Sequence, residues 1–281
     1  MNISYSVQEI RDIRQSLSGS VGFVPTMGCL HQGHLSLIRA SAQQNNHTMV
    51  SIFVNPTQFG KNEDFDSYPR DVQSDIDLLL KEKATVLFLP TAKEIYPEGF
   101  GTWVDVSRLT SVLEGLRRPG HFRGVTTICN KLFNIVDPDN AYFGQKDAQQ
   151  AIVIKKMVID LNMRLKVHVL PTVRESSGLA MSSRNNYLTE KEREAAAVLY
   201  RSLEDARSEY LRGEMDTGRL RSIVINTIEK EPLVKVDYIA FSDPNSLDEV
   251  TSITSPTLLS LAAYVGTTRL IDNVILSIVP E

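Results

Sequence analysis

The chain has 281 residues, of which 42% are hydrophobic, and a formal net charge of −4. That length accommodates one large domain or two of ordinary size, and the acidic balance disfavours a non-specific nucleic-acid partner. No apolar run approaches the roughly 18 residues of a membrane span, and the N-terminal segment lacks the apolar core of a signal peptide. Two cysteines, Cys29 and Cys129, indicate a reducing compartment without a disulfide framework. We therefore expect a cytoplasmic protein that acts neither at a membrane nor on nucleic acid.

Short apolar segments alternate with amphipathic ones through the first 172 residues. The pattern predicts helices at 7–17, 34–44, 71–83, 125–136 and 148–160, and strands at 21–25, 48–54, 86–90, 141–143 and 165–170. Strands that alternate with helices indicate a parallel sheet covered on both faces. Residues 1–172 are therefore predicted to form a doubly wound, Rossmann-like α/β domain that binds ligands beyond the carboxyl ends of its strands.

The remaining residues, 173–281, are predicted to form a smaller α+β domain that acts as a lid. Thr189 and Glu192 match a capping box before a helix that runs to about residue 212. A second helix is predicted at 217–230, followed by strands at 234–241, 257–265 and 273–279.

The tract VGFVPTMGCLHQGHLSLI, residues 21–38, combines a strand end, a glycine turn and the start of a helix predicted at His34. A helix N-terminus presents unpaired N–H groups and a partial positive charge, which suit a phosphate. His31 and His34 could donate hydrogen bonds to phosphate oxygens as charge develops. The H-x-G-H pattern resembles the HIGH signature of the nucleotidyltransferase superfamily. Two other interpretations remain open: zinc binding with Cys29, and ordinary turn histidines.

A second polar tract, RESSGLAMSSRNNYL at residues 174–188, lies between a predicted strand and a predicted helix. Its MSSR segment, residues 181–184, resembles the KMSKS loop that accompanies HIGH in the same superfamily. Two hydroxyls and a guanidinium can hold a triphosphate as charge moves to the leaving pyrophosphate. A solvated interdomain linker is the alternative interpretation.

Three further tracts lie between these two: FVNPTQF, EGLRRPGHFRGV and YFGQKDAQQ. With them, the chain resembles the pantothenate synthetase family, most closely from residue 21 to residue 188 and more weakly to the C-terminus. One departure from the family pattern is Gln145, where the family more often has Glu, and we expect little functional effect from it.

The resemblance implies an AMP-forming ligase. In that family the pantoate carboxylate attacks the α-phosphate of ATP, and the amine of β-alanine then attacks the pantoyl adenylate, which gives pantothenate and AMP. The resemblance also implies a homodimer, and Mg²⁺ that bridges the phosphates with few protein ligands. Asp147 is a candidate for touching the ion, and no dedicated protein metal site is expected.

The resemblance also assigns roles to individual residues. The catalytic residues it implies are His31, His34, Lys146 and Arg184, with His34 as the proton donor. The ATP site it implies comprises Met27, Gly28, Cys29, Leu30, His31, Gln32, Gly33, His34, Gly144, Gln145, Lys146, Asp147, Val173, Met181, Ser182, Ser183 and Arg184. The residues it implies for pantoate and β-alanine are Gln58, Gln150 and, as a second-tier candidate, Asn55. Tyr68, Arg118 and His121 are further second-tier candidates.

Two other functions remain open from the sequence. A nucleotidyltransferase that joins CMP or AMP to a phosphorylated substrate would explain the HIGH-like and MSSR tracts but not the two amide-bearing tracts. A non-catalytic nucleotide-binding regulator would be expected to have lost a charged catalytic residue, yet His34, Lys146 and Arg184 are all present.

Overall fold

The structure is a computed structural model that describes residues 1–61 and 63–277. Contacts between residues divide it into two compact units, an N-terminal unit of Met1–Gly144 with Gln149–Pro171, and a C-terminal unit of Gln145–Ala148 with the chain from Thr172 onward. The domain boundary predicted after residue 172 stays a prediction. Among the described residues, no helix is both long enough and apolar enough to cross a bilayer.

The N-terminal unit is built on a six-stranded sheet in which all paired strands are parallel. Its strands are β1 (Asn2–Ser4), β2 (Val21–Thr26), β3 (His47–Ile52), β4 (Val86–Phe88), β5 (Asn140–Gly144) and β6 (Lys166–Leu170). They lie in the order β1-β4-β3-β2-β5-β6. The strand order reverses between β2 and β5, and in open α/β sheets the crevice at such a point binds ligands.

Helices cover both faces of this sheet. They are α1 (Val7–Ser16), α2 (Gln32–Gln44), α3 (Val72–Lys81), α4 (Ala92–Ile95), α5 (Glu114–Arg117), α6 (His121–Val136) and α7 (Ala148–Asp160). Alternate residues of β2 point to opposite faces. Val24 packs with Ile38 of α2 in one buried cluster, whereas the ring of Phe23 meets Phe133 of α6 edge-on, with centroids 6.4 Å apart.

The C-terminal unit packs three helices on a three-stranded antiparallel sheet, β7-β8-β9. Its elements are α8 (Glu190–Ala196), α9 (Val198–Leu211), α10 (Thr217–Ile228), β7 (Val234–Ser242), β8 (Thr257–Val265) and β9 (Thr268–Leu276). Leu203, Leu220 and Leu259 belong to its buried core. The predicted fold class, a Rossmann-like domain followed by a smaller α+β part, is thus confirmed.

Several predicted boundaries were wrong for local reasons. Helix α2 begins at Gln32 because His31 caps it. Helix α6 begins at His121, after Gly120 in a left-handed conformation (φ 84°). The helix predicted up to about residue 212 is two helices, because the N–H of Ala197 bonds to the carbonyl of Glu194 in a tighter turn.

Two strands were also mispredicted. The last one begins at residue 268 because a two-residue turn joins β8 to β9, with Val265 opposite Thr268. Its predicted end, residues 278 and 279, lies outside the described residues. The three-residue β1 was not predicted at all, since it is too short to show a pattern.

Candidate active site

The turn between β2 and α2 carries the HIGH-like residues. It needs left-handed backbone at two successive positions, Gly28 (φ 82°) and Cys29 (φ 51°). A Cβ built on Gly28 would lie 2.9 Å from the Asp75 carboxylate, so only glycine fits there without rearrangement. The hydroxyl of Thr26 ties the turn to the sheet by accepting from Gly28 N at 3.1 Å and donating to Ser51 O at 2.8 Å.

Asp75 of α3 holds the middle of this turn. Its carboxylate accepts hydrogen bonds from the backbone N–H groups of Cys29 at 2.9 Å and Leu30 at 2.7 Å. Burial raises the pKa of Asp75, while these two donors act in the opposite direction. Asp75 was not among the residues predicted from the sequence. The available signal was an acidic side chain one helical turn before the buried Leu79, on the apolar face of α3.

His31 and His34 cap the start of α2 reciprocally. Nδ1 of His31 accepts from Gly33 N at 3.2 Å, and Nδ1 of His34 accepts from His31 N at 3.4 Å. The two rings lie 4.1 Å apart between centroids. Because each Nδ1 accepts a backbone N–H, the proton of each neutral imidazole is on Nε2. Both histidines are therefore arranged as Nε2–H donors at a helix N-terminus.

The 3₁₀ turn Pro56–Gln58 follows β3 and carries the first predicted substrate residues. Asn55 caps this turn and its Nδ2 donates to Oε1 of Gln58 at 3.1 Å. Nε2 of Gln58 lies 3.0 Å from Sδ of Met27. The fold thus brings Gln58 to the HIGH-like turn across 31 residues of sequence.

The three further candidates from the sequence, Tyr68, Arg118 and His121, lie near the same 3₁₀ turn. Nδ1 of His121 donates to the carbonyl of Gln58 at 2.8 Å, and Nε2 accepts from Arg118 at 3.1 Å. Burial, together with the nearby Arg118 charge, lowers the pKa of His121 to about 4. Glu63 in turn forms a two-point ion pair with Arg118. Tyr68 is buried with its ring 5.9 Å from that of Phe59.

The two adjacent glutamines near the start of α7 differ in their surroundings. Gln149 is buried, and its amide accepts from Glu114 N and donates to the carbonyls of Leu109 and Val112. Gln150, the predicted pantoate residue, is half-buried. Gln149 therefore holds the segment from 109 to 114, and Gln150 remains the candidate for substrate.

In the C-terminal unit, Asn273 of β9 supports the predicted ATP residues 145–147. Its Nδ2 donates to the carbonyls of Gln145 at 3.0 Å and Lys146 at 2.9 Å, and its Oδ1 accepts from Nε2 of Gln145 at 3.0 Å. Nζ of Lys146 lies 3.2 Å from Oδ1 of Asp147. Gly144, the last residue of β5, belongs to the N-terminal unit.

The segment from Val173 to Arg184 is tied down within the same unit. Arg174 pairs with the buried carboxylate of Asp272 at 2.6 and 2.9 Å and stacks on the Tyr200 ring at 3.7 Å. Burial raises the pKa of Asp272, and Arg174 acts in the opposite direction. The backbone N–H of Met181 donates to the carbonyl of Val173 at 2.9 Å.

The MSSR segment leads into another 3₁₀ turn, Ser183–Tyr187, which contains its last two residues. Ser182 caps it by accepting from the N–H of Arg184 at 3.3 Å. The neighbouring pair Asp272 and Asn273 in β9 thus supports both predicted ATP segments of this unit. The pair was not predicted from the sequence, although two successive polar residues between the apolar pairs at 270–271 and 274–275 were a signal.

The fold therefore groups the predicted site residues within each unit. In the N-terminal unit, the HIGH-like turn contacts Gln58 through Met27. In the C-terminal unit, β9 holds residues 145–147 and pairs through Asp272 with Arg174, next to Val173. The roles assigned to these residues stay predictions.

Comparison with known proteins gives one consistent family. Residues 2–275 match the family model described as pantoate-beta-alanine ligase. The pantothenate synthetase of Herpetosiphon aurantiacus is 51% identical over 277 residues, covering 98% of this chain and 100% of that protein. The pantothenate synthetase of Pelotomaculum thermopropionicum is 53% identical over 279 residues, covering 98% of this chain and 99% of that protein.

Solved structures agree. The pantothenate synthetase of Thermus thermophilus superposes with a TM-score of 0.93 at 41% identity, covering 98% of this chain and 99% of that one. The pantoate–β-alanine ligase of Francisella tularensis, in complex with β-γ ATP and β-alanine, gives a TM-score of 0.80 at 37% identity over the whole of both chains. The resemblance to the pantothenate synthetase family, which rested on the tracts at 21–38 and 174–188 together with the three tracts between them, and the prediction of a ligase are confirmed. This chain belongs to the pantoate–β-alanine ligase family.

Proposed function

We propose that the chain condenses pantoate with β-alanine to give pantothenate, with ATP as co-substrate and a pantoyl adenylate as intermediate. AMP and pyrophosphate are the other products. One observation carries the chemical part of the proposal: the reciprocal capping of His31 and His34, which makes both rings Nε2–H donors at a helix N-terminus.

In the first step, a carboxylate oxygen of pantoate bonds to the α-phosphorus of ATP, and the bond from that phosphorus to the pyrophosphate oxygen breaks. Negative charge grows on the α-phosphate and on the leaving group. We assign His31, His34, Lys146 and Arg184 to stabilise that charge, because preorganised donors are worth most where charge develops. His34 is the proposed proton donor.

The remaining residues predicted for ATP are proposed to form its binding surface. In the N-terminal unit these are Met27 to Gly33 and Gly144. In the C-terminal unit they are Gln145, Asp147, Val173 and Met181 to Ser183. The support for the first group is its place in the turn that leads into the N-terminus of helix α2, where a partial positive charge suits a phosphate.

In the second step, the amine of β-alanine attacks the acyl carbon of the adenylate, and AMP leaves. We propose that Gln58 and Gln150 bind pantoate, since amide groups both donate and accept hydrogen bonds to hydroxyl and carboxylate groups. Asn55 was the third residue predicted for this pocket. Its side chain is engaged by protein groups, so we assign direct contact with pantoate to the two glutamines.

Mg²⁺ is proposed as the ion that accompanies ATP. Among residues 1–61 and 63–277, no three His, Cys, Asp or Glu side chains cluster in the manner of a metal site. A hard cation held mainly by phosphate oxygens and water needs few protein ligands. The carboxylate of Asp147, which is paired with Lys146 and 47% exposed, is the candidate protein oxygen. The bound ion would neutralise charge on the phosphates.

We further propose a cytoplasmic homodimer with ATP, pantoate and β-alanine as its small-molecule partners. The support for this assembly is the family membership alone. Sedimentation of the purified protein tests it directly, because a monomer at working concentration would contradict the dimer.

The function is tested with a panel of carboxylic acids and amines in the presence of ATP and Mg²⁺, scored for AMP release. We expect AMP to be released over many turnovers only when pantoate and β-alanine are both present. Pantoate labelled with heavy oxygen in its carboxylate should transfer one labelled oxygen to AMP. Unlabelled AMP, or ADP as the nucleotide product, would refute the adenylate route even if pantothenate were formed.

A further inference from the structure

The side chain of Asn55 has an unambiguous orientation. Its Oδ1 accepts from the backbone N–H of Thr57 at 3.3 Å, and its Nδ2 donates to the backbone carbonyl of Gly124 at 3.2 Å. A backbone N–H can only donate and a backbone carbonyl can only accept. These two contacts therefore distinguish the oxygen of the amide from its nitrogen, an assignment that is otherwise open to a flip.

Tyr96 reinforces this orientation. Its hydroxyl donates to Oδ1 of Asn55 at 2.8 Å, and the hydroxyl of Thr57 donates to the same oxygen at 2.9 Å. Burial raises the pKa of Tyr96 to about 12, so the phenol remains a neutral donor at any working pH. Asn55 itself is 1% exposed.

The orientation of Asn55 determines that of Gln58. One N–H of Asn55 is used by Gly124, and the other donates to Oε1 of Gln58 at 3.1 Å. The carbonyl end of the Gln58 amide is thus turned inward, toward Asn55. Its NH₂ group faces Met27, where the thioether sulfur at 3.0 Å is only a weak acceptor. An incoming oxygen would be a better partner for that NH₂.

We propose that Tyr96 and Asn55 are positioning residues that hold Gln58 so that it presents its NH₂ group, and not its carbonyl, to the substrate. The group of pantoate that Gln58 recognises is then a hydrogen-bond acceptor, a carboxylate or hydroxyl oxygen. This inference rests on the proposed role of Gln58 in pantoate binding. It gives Asn55 an indirect role and adds Tyr96, which lies 41 residues away in sequence.

The test uses substitutions that remove one hydroxyl and keep the shape of the side chain. Tyr96→Phe and Thr57→Val each delete one donor to Oδ1 of Asn55, and the double variant deletes both. Each lost hydrogen bond should raise the KM for pantoate by about three- to tenfold, in line with the usual net strength of a hydrogen bond. ATP affinity and kcat should change by less than about twofold. The KM for pantoate should rise more in the double variant than in either single variant.

Tyr142→Phe is the matched control. Tyr142 is a fully buried tyrosine in the same unit, and its hydroxyl also contacts an asparagine, Nδ2 of Asn45 at 2.8 Å. Loss of the Tyr142 hydroxyl should lower the melting temperature, as Tyr96→Phe does, but leave the KM for pantoate unchanged. A merely structural role for Tyr96 would make the two variants behave alike.

Two outcomes would overturn the inference. One is an unchanged KM for pantoate in Tyr96→Phe and in the double variant. The other is a rise in KM that Tyr142→Phe reproduces, or that ATP affinity follows in parallel. Failure of the proposed function is a separate result, because the unmodified protein would then show no turnover that depends on pantoate.

Discussion

Asp75 accepts a hydrogen bond from the backbone N–H of Leu30, with 2.7 Å between Oδ1 and N. The two residues are 45 positions apart in sequence. This contact, with the matching one to Cys29, joins helix α3 to the turn that presents His31. A carboxylate from a neighbouring helix therefore supports the left-handed backbone of the HIGH-like tract.

The first prediction follows from this support. Asp75→Asn should lower kcat by about tenfold or more. An amide of the same shape accepts one of the two backbone N–H groups but turns its own NH₂ group toward the other. A lost charge-assisted hydrogen bond costs about 1.5–3 kcal/mol. Steady-state kinetics and thermal unfolding measure the effect. Asp77→Asn, the same change at an exposed position of α3, is the control and should be neutral. Equal activity of both variants would contradict the role of Asp75.

The second prediction concerns the groups assigned to the phosphates. His34→Ala and Lys146→Ala should each remove most ATP-dependent turnover in a folded protein, because losing one donor to a developing charge costs about 3 kcal/mol, or a hundredfold and more in rate. His34→Asn separates capping from chemistry. Its short amide can still accept from His31 N but lacks the Nε2–H, so it should be as inactive as alanine. Near-normal turnover of folded His34→Ala would exclude the assignment.

The third prediction contrasts the two neighbouring glutamines. Gln150→Ala should raise the KM for pantoate while ATP affinity, measured by calorimetry, stays the same. Gln149→Ala should instead lower stability, since it removes three hydrogen bonds that hold the segment from 109 to 114. If Gln150→Ala weakens ATP binding and leaves pantoate dependence intact, the assignment of the pantoate pocket is wrong.

A fourth prediction concerns pH. Burial and the nearby Arg118 lower the pKa of His121 to about 4 from its ordinary 6.5, although Glu63 and Glu114 oppose the shift. Between these two values the unfolded chain binds a proton at His121 that the folded chain does not. The contribution of His121 to stability is therefore complete above pH 6.5 and is lost as pH falls toward about 4.

His121→Asn tests this dependence, because asparagine does not titrate. The free energy of unfolding of the unmodified protein should fall with decreasing pH more steeply than that of the variant, by up to about 1.4 kcal/mol per pH unit in this window. Denaturant titrations at several pH values give the two slopes. Parallel slopes would show that His121 is not held neutral by the fold.

The fifth prediction concerns Gln145, which stands where the family more often has glutamate and for which we expected little functional effect. Asn273 uses its Nδ2 for two backbone carbonyls, so its Oδ1 faces Gln145 and needs a donor. Gln145→Glu places an ionised carboxylate there and should lower the free energy of unfolding by about 1–2 kcal/mol at neutral pH. Much of the loss should return at acidic pH, where the carboxyl group can donate. Gln15→Glu, at an exposed site, is the control, and equal stability of the two variants would contradict the prediction.

The sequence by itself determined the fold class and the family. Alternating apolar strands and amphipathic helices are local periodic signals, and they predicted the parallel sheet to which the structure adds β1 at one edge. The HIGH-like and MSSR tracts are contiguous, so their order and residue types were readable along the chain. The capping box at Thr189 and Glu192 was likewise readable, because a cap acts within one turn.

Only the tertiary structure decided which polar side chains support the predicted site. Gln149 and Gln150 are indistinguishable as neighbours in sequence, and their roles separate only because segment 109–114 packs over one of them. The contacts of Asp75 with Leu30 and of Gln145 with Asn273 join residues 45 and 128 positions apart. A hydrogen bond between such residues leaves no periodic signal in a single sequence, since its geometry exists only after the strands and helices that carry both partners have packed.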